Sequence, residues 1–379
     1  MPGDQVSVPA VLMRGGSSRG VVIDGRLLPS DDEVRDRLVV AAYGSPDVRQ
    51  IDGVGGADPL TSKVAVVIPS ERSDADVEYL FGQVSITTPE VFWVGNCGNM
   101  IAAVAAFAVD EGLVAPTEPV TRVRIYTVNV DQVVIAEVPT VDGVARTAGV
   151  AEVAGVPGTG APIMLDFGDC GGAVTGKLLP TGSPVDVIEV DGLGEIEISI
   201  VDAATPFVYV RAVDLGVAAS MTPEAMAADA ELLERLEFIR SQAAFLAGIV
   251  PDAAVATERS PSIPRVTMVG SIGSSDDSAD IEARQMSMQR PHKTYAVTNA
   301  VCTAVAAELP GTIVNGLVAR RESATLRIAH PAGVLIAESV VVPAEGADGF
   351  RIERAAVART ARRILKGELF VPSGRVLTD

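Results

Sequence analysis

The chain has 379 residues, 48% hydrophobic and 21% charged, with a formal net charge of −19 at pH 7. That composition reads as globular, and the length exceeds one ordinary core, so two domains are expected. The acidity excludes nucleic acid, which needs a basic face, and disfavours anionic membrane surfaces, so an anion site must be a local positive island. No apolar run approaches the roughly 20 residues that span a bilayer, and the N-terminus lacks a charged-then-apolar leader pattern. Three cysteines, Cys97, Cys170 and Cys302, form an odd set without metal-ligand spacing. With two scattered histidines they argue against a zinc site and suit a reducing, cytoplasmic setting.

A first strand is expected over residues 6–12, then the loop Met13-Arg14-Gly15-Gly16-Ser17-Ser18-Arg19-Gly20, then strand again over 21–23. The loop reads as a plain hairpin connection. Its arginines, serines and glycines also suit a carboxylate, because arginine offers a bidentate fork, and Arg14, Gly16, Ser17 and Ser18 are the candidates. Ser30-Asp31-Asp32-Glu33 opens a helix, with Ser30 as cap and acids in the first turn, that stops at Gly44-Ser45-Pro46. Residues 50–59 are glycine-rich but too irregular for a dinucleotide fingerprint, and strand follows where a helix would be needed. That strand, over 63–68, is approached through Thr61-Ser62-Lys63. Lys63, one of only four lysines, is either a solvated edge residue or a partly desolvated amine serving as a base near neutrality. A further strand is expected over 76–88.

Val94-Gly95-Asn96-Cys97-Gly98-Asn99-Met100 is a tight Gly/Asn turn opening an apolar, Ala-rich helix that runs to about Gly112. Unpaired N–H groups and the macrodipole at a helix start favour an anion, and a thiol there loses its proton more easily. Asn96, Gly98 and Asn99 are therefore anion-cradle candidates beside a reactive Cys97. Strands are expected over 120–129 and 132–139. A glycine- and proline-rich crossing ends at Leu179-Pro180-Thr181-Gly182, which sets domains at 1–182 and 183–365, with 366–379 packing back on the first. Cys170 reads as a structural thiol within that crossing.

The order of elements then restarts: strands over 185–190, 196–201 and 207–213, and one long helix after Met221-Thr222-Pro223 to about Ala247, with Thr222 as cap and Pro223 at N1. Strands follow over 265–269 and 280–288. After Pro291-His292-Lys293-Thr294, Thr298-Asn299 opens a second Ala-rich helix over 300–308. Strands over 324–329, 333–343 and 350–357, a short basic helix over 359–365 and a last strand over 368–372 complete the chain. The halves share a pattern, so a two-fold-like arrangement would bring both helix starts to one ligand in an interdomain cleft, which suits a di- or tricarboxylate.

Several of these segments together resemble one known family. Residues 13–20, Thr61-Ser62-Lys63-Val64-Ala65, Gly95-Asn96-Cys97-Gly98-Asn99, Leu179-Pro180-Thr181-Gly182, Gly311-Thr312, His330-Pro331-Ala332-Gly333 and Arg359-Thr360-Ala361-Arg362-Arg363 occur in the order seen in the 2-methylaconitate isomerase (PrpF) family. That family includes 3-methylitaconate isomerase and 4-oxalomesaconate tautomerase. The resemblance implies an α+β diaminopimelate epimerase-like fold: two pseudo-symmetric domains, each a barrel-like, mostly antiparallel sheet around a central helix, with the active site between them. It also implies a cofactor-independent allylic proton shift on a small unsaturated polycarboxylate, with Lys63 and Cys97 catalytic, in a monomer or homodimer.

Two departures bear on mechanism. The family loop usually reads Gly-Gly-Thr-Ser-Lys-Gly where this chain has Gly15-Gly16-Ser17-Ser18-Arg19-Gly20. The second-half cysteine of the more distant epimerases falls near Val297, which is not cysteine, and Cys302 lies inside the helix. Lys63 is then the second acid/base group. Helix N–H groups around Asn96–Asn99 and Thr298–Asn299 would stabilise a dienolate that Cys97 or Lys63 reprotonates. Arg14, Ser17, Ser18 and His292 would hold the other carboxylates. A non-catalytic partner of an aconitase-like dehydratase and an amino-acid epimerase are the competing readings.

Overall fold

The computed structural model describes residues 4–93, 96–272, 278–318, 324–345 and 349–377; Val94 and Gly95 of the cysteine motif lie outside them. The principal elements are β1 (Gln5–Gly15), β2 (Ser18–Asp24), α1 (Asp32–Tyr43), β3 (Lys63–Pro69), β4 (Val77–Val84), α2 (Gly98–Asp110), β5 (Val120–Thr127), β6 (Gln132–Val141), β7 (Ile163–Asp166), β8 (Asp186–Val190), β9 (Gly194–Ala203), β10 (Thr205–Arg211), α3 (Pro223–Ala228), α4 (Ala230–Leu246), β11 (Arg265–Gly270), β12 (Ile281–Ser287), α5 (Val297–Glu308), α6 (Ile313–Leu317), β13 (Thr325–His330), β14 (Gly333–Pro343), β15 (Phe350–Arg359) and β16 (Ala361–Pro372). They divide into two compact units, Met1–Asp166 with Ala358–Asp379, and Phe167–Val357.

In the first unit β1 and β2 form a hairpin, β2 runs parallel to β3 with Gly20 opposite Lys63, and β3 pairs antiparallel with β4, placing Lys63 opposite Gln83. The sheet continues through β5, β6 and β7, and β16 lies antiparallel along the other side of β1. α2 packs against every one of these strands. It is apolar on all sides and buried from Met100 to Val109, the signature of a helix enclosed by its sheet. α1 covers the opposite face of the sheet, packing Leu38–Tyr43 onto Val21, Ile23 and Val64. Its cap is Asp31, not Ser30: the Asp31 carboxylate accepts the Val34 N–H at 3.0 Å, a bond worth about 1 kcal/mol.

The second unit repeats this plan. β9 and β10 form the hairpin, β10 runs parallel to β11 with Phe207 opposite Arg265, and β11 pairs antiparallel with β12. α5 is the buried helix, packed on β9, β10, β13 and β14, while α4 covers the other face through Leu232, Leu236, Ile239 and Ala243. One ion pair recurs at matching places. Asp76 accepts the Arg124 backbone N–H and guanidinium where β4 meets β5, and Asp280 does the same for Arg327 where β12 meets β13. The two units are thus built on one register.

Three expectations change. The single long helix after Met221 is two, because the backbone breaks at Asp229, whose carboxylate caps the Leu232 N–H of α4. The basic helix over 359–365 is strand: β16 begins at Ala361 and its backbone pairs with β1. Contacts divide the chain at 166/167 and 357/358, whereas the expected limits were 182/183 and 365/366. Phe167 N–H bonds Ala355 O, and Asp202 holds Val174 and Thr175, so the part of the glycine-rich crossing from Phe167 onward belongs to the second unit.

Candidate active site

Cys97 is the N-cap of α2, in extended conformation, with its carbonyl accepting from Met100 N–H at 2.9 Å and Ile101 N–H at 3.2 Å. Its side chain makes no capping bond, and the partly exposed thiol stands at the positive end of a helix dipole. The Cys97 Sγ lies 3.9 Å from Ser18 Oγ. Asn99, in the first turn, donates from Nδ2 to Ser17 Oγ at 3.1 Å and Ser18 Oγ at 3.3 Å. Its Oδ1 accepts from Arg359 Nε at 3.0 Å, which fixes the orientation of the amide. Gly16 makes this approach possible: at φ +50° it forms the hairpin turn, and a Cβ there would sit 2.1 Å from Asn99 Oδ1.

Lys63 begins β3 and is 8% exposed. Its Nζ donates to Gln83 Oε1 at 2.6 Å and lies 5.3 Å from the centroid of Phe81. The Gln83 amide is held in turn, with Nε2 donating to Ser62 O at 2.8 Å and Pro59 O at 3.1 Å, so only the oxygen can face the amine. Tyr43, buried beneath, donates to the Lys63 carbonyl and accepts from Val21 N–H. Gly20 lies directly opposite, where a Cβ would stand 2.1 Å from Lys63 O. The solvated-edge alternative for Lys63 is therefore excluded by its burial and its fixed partner.

Arg14 is spent differently from expectation: its guanidinium donates to Gly16 O at 2.8 Å and Thr360 O at 2.9 Å, tying the hairpin turn to the start of β16. Arg359 instead carries the positive charge beside Asn99. Burial pushes it down to about 10, opposed by the nearby Cys97, so it remains a cation at neutral pH. Tyr79 lies fully buried with a hydroxyl that has no partner among the described residues, and burial, then Cys97, holds it well above its ordinary range. Sequence reading missed Gln83, Phe81, Tyr79 and Arg359. Strand alternation sets the first three on one face of β4, but only the β3–β4 register identifies that face as Lys63's own.

His292, Thr298 and Asn299 belong to the second unit. α5 starts one residue before Thr298, with Ala296 as its N-cap. Ala296, not Val297, is thus the counterpart of Cys97, and it carries no thiol. Cys302 is fully buried, donates to Val201 O at 3.4 Å and is pushed up to about 12 by burial. The Asn299 side chain is not open to a ligand: Nδ2 donates to Thr267 Oγ1 at 3.0 Å, while Oδ1 faces the Tyr209 and Thr303 hydroxyls. Thr298 is partly exposed. His292 Nδ1 accepts from Thr294 N–H at 3.1 Å, and burial, with the Arg265 charge adding to it, lowers its pKa. Among the described residues no group of three or more His, Cys, Asp or Glu could hold a metal ion, and no helix is long and apolar enough to cross a membrane.

Two like α+β units, each a sheet wrapped on a buried Ala-rich helix, define the diaminopimelate epimerase-like fold. A family model described as PrpF protein matches residues 5–372, and the chain belongs to that family. It is 45% identical over 386 residues to the 3-methylitaconate isomerase of Eubacterium barkeri, with 99% of this chain and 100% of the relative aligned. It is 40% identical to the (4E)-oxalomesaconate Delta-isomerase of Novosphingobium sp. (strain KA1), with 96% and 98% aligned. A crystal structure of methylitaconate-delta-isomerase superposes with a TM-score of 0.90 at 43% identity, covering 100% of this chain and 98% of that one.

Proposed function

We propose that this isomerase moves a proton between the two ends of an allylic unit in an unsaturated di- or tricarboxylate, of the kind its relatives are named for. The observation that carries the reading is the setting of Lys63: a buried amine whose only polar partner among the described residues is the oxygen of a neutral, immobilised amide. A carboxylate there would hold it as the ammonium. Gln83 takes one N–H and adds no charge, which leaves the amine open to a substrate C–H.

In the forward step Lys63 takes the proton from the carbon next to the C=C–C=O system, becoming the ammonium as the substrate becomes a dienolate. The N–H groups at the head of α2 and the Asn99–Arg359 pair meet the developing charge. The Cys97 thiol then gives its proton to the far carbon, the double bond settles in its new position, and a proton passes from Lys63 to the thiolate to reset the site. Ser17 and Ser18, held by Asn99, present hydroxyls to a substrate carboxylate. Three unpaired thiols support a reducing compartment such as the cytoplasm. The two-thiol epimerase reading loses support from Ala296.

The experiment is deuterium uptake by NMR in heavy water, screening 2-methylaconitate, methylitaconate, cis- and trans-aconitate and oxalomesaconate. One of them exchanges and isomerises with the native enzyme, and Lys63→Ala abolishes both. Full exchange by the Lys63→Ala variant would sink the assignment of the base.

A further inference from the structure

One buried hydroxyl of the first unit does nothing for the fold. Tyr79 is 0% exposed, and its hydroxyl bonds to nothing among the described residues. Thr127, its neighbour in the β4–β5 register, turns its own hydroxyl to Gln132 O at 2.7 Å. A donor buried without an acceptor is costly, so its retention points to an acceptor that exists only at some stage of function. The groups around Tyr79 show which acceptor that is.

Tyr79, Phe81 and Gln83 alternate along one face of β4. Gln83 holds Lys63, the Lys63 amine lies over the Phe81 ring, and the Tyr79 ring meets Phe81 edge-on at 6.5 Å between centroids. α2 packs on this strand, and Asn129 fastens the approach to its first turn. Asn129 Nδ2 donates to Phe81 O at 2.9 Å and Trp93 O at 3.0 Å, while its Oδ1 accepts Phe81 N–H at 2.8 Å. The chain leading into Cys97 is thus pinned to β4 two residues from Tyr79. Ser18 of β2 lies 3.9 Å from the Cys97 sulfur, and among the described residues the Cys97 charge acts on Tyr79 and on Arg359. Arg359 is already spread over Asn99 Oδ1 and Ala358 O, and Ser18 is held by Asn99. The Lys63 ammonium is held by Gln83. The Tyr79 hydroxyl has nothing else to bond.

We propose that the Tyr79 hydroxyl donates a hydrogen bond to the Cys97 sulfur whenever that sulfur is a thiolate, which makes Tyr79 a positioning residue for the proton donor. A neutral thiol is a weak acceptor, so the hydroxyl idles in the resting enzyme. The thiolate left after Cys97 has protonated the far carbon carries a full charge, and a hydrogen bond to an ion is about twice as strong as one between neutral groups. Tyr79 moves no proton itself: burial, then the Cys97 charge, holds it well above its ordinary range, so it stays a phenol throughout. The bond forms when the thiolate appears and is released when the sulfur regains its proton. The inference rests on the reading of Cys97 as the proton donor.

The test is Tyr79→Phe, which removes one oxygen. Thiolate absorbance at 240 nm, with Cys97→Ala as the blank, follows the ionisation of this one sulfur, because Cys170 and Cys302 are buried and pushed upward. Tyr79→Phe moves the midpoint of that curve up by about one pH unit, since it takes a donor from the charged form alone. In the isomerase assay it lowers kcat about 10-fold with KM within about twofold, and added to Cys97→Ala it costs nothing further. The urea midpoint stays at or above native, because an orphaned donor is lost and no bond with it. An absorbance curve unchanged by Tyr79→Phe, or the same loss repeated on Cys97→Ala, overturns the inference. A shifted curve in a protein that takes up no deuterium from heavy water would sink the isomerase reading and leave the Tyr79–Cys97 bond standing.

Discussion

The matching positions of the two units differ by a handful of residues, which put an amine and a thiol on one frame and a guanidinium and a methyl group on the other. In the first unit the sequence puts Lys63, Gln83, Phe81 and Cys97 on the frame. In the second the same frame carries Arg265, Gln285 and Ala296. An amine held by a neutral amide can take up and release a proton, whereas a guanidinium cannot near neutrality. A thiol at a helix cap can donate, and a methyl group cannot. The comparison teaches that the fold supplies two helix starts on one register, and that side chains at two positions set their chemistry apart.

The sharpest way to break that comparison is to make the first site resemble the second. Lys63→Arg keeps a cation at the strand start but removes the base. Turnover should fall by about 10⁴-fold, the upper range for a positioned acid or base, while binding of propane-1,2,3-tricarboxylate stays within a fewfold of native. Equal loss of binding and turnover would show that Lys63 serves only to hold substrate.

Cys97→Ala copies the Ala296 cap and should cost about 10²- to 10³-fold in kcat, with KM little changed. Cys97→Ser separates the roles: activity at native level would reduce the thiol to packing. A companion measurement counts thiols. Cys170 and Cys302 are buried and pushed upward, so native protein should react with one equivalent of a disulfide reagent, and Cys97→Ala with none.

Much of this was legible in the chain. Cys97, Ser17, Ser18 and Asn99 come together, and Lys63 begins the strand opposite Gly20, because each sits at an element boundary that local chemistry marks: a hairpin turn, a strand start, a helix cap. Residues whose meaning depends on pairing were not legible. Gln83 is an ordinary strand residue until antiparallel register sets it against Lys63. Arg359 fell in a segment whose basic, mixed sequence reads as helix, and only pairing with β1 makes a strand of the residues from Ala361 onward. Asn299 was misjudged for the opposite reason. It stands beside a helix start, but its amide is consumed by Thr267 and the hydroxyls around it.

Gln83→Glu sharpens the contrast without removing any group. The carboxylate would accept the same Lys63 proton and stabilise the ammonium, so the activity–pH curve should move to higher pH by about one to two units, with activity recovered in alkaline buffer. Around neutrality the loss would be about 10- to 100-fold. A uniform loss across all pH would mean that Gln83 only supports the fold.

The smallest effect concerns the second unit's own electrostatics. Burial and the Arg265 charge lower the His292 pKa, so the unfolded chain binds more protons than the folded one in the window below the ordinary histidine value of about 6.5. The contribution of a neutral, buried His292 is therefore complete above that value and is lost as pH falls through the window. His292→Gln should flatten the acid-side decline in denaturant midpoint between pH 7 and pH 5. Arg265→Gln should flatten it partly, because it removes the cation but not the burial. If the decline is as steep in His292→Gln as in native protein, the acid sensitivity arises elsewhere than at this imidazole.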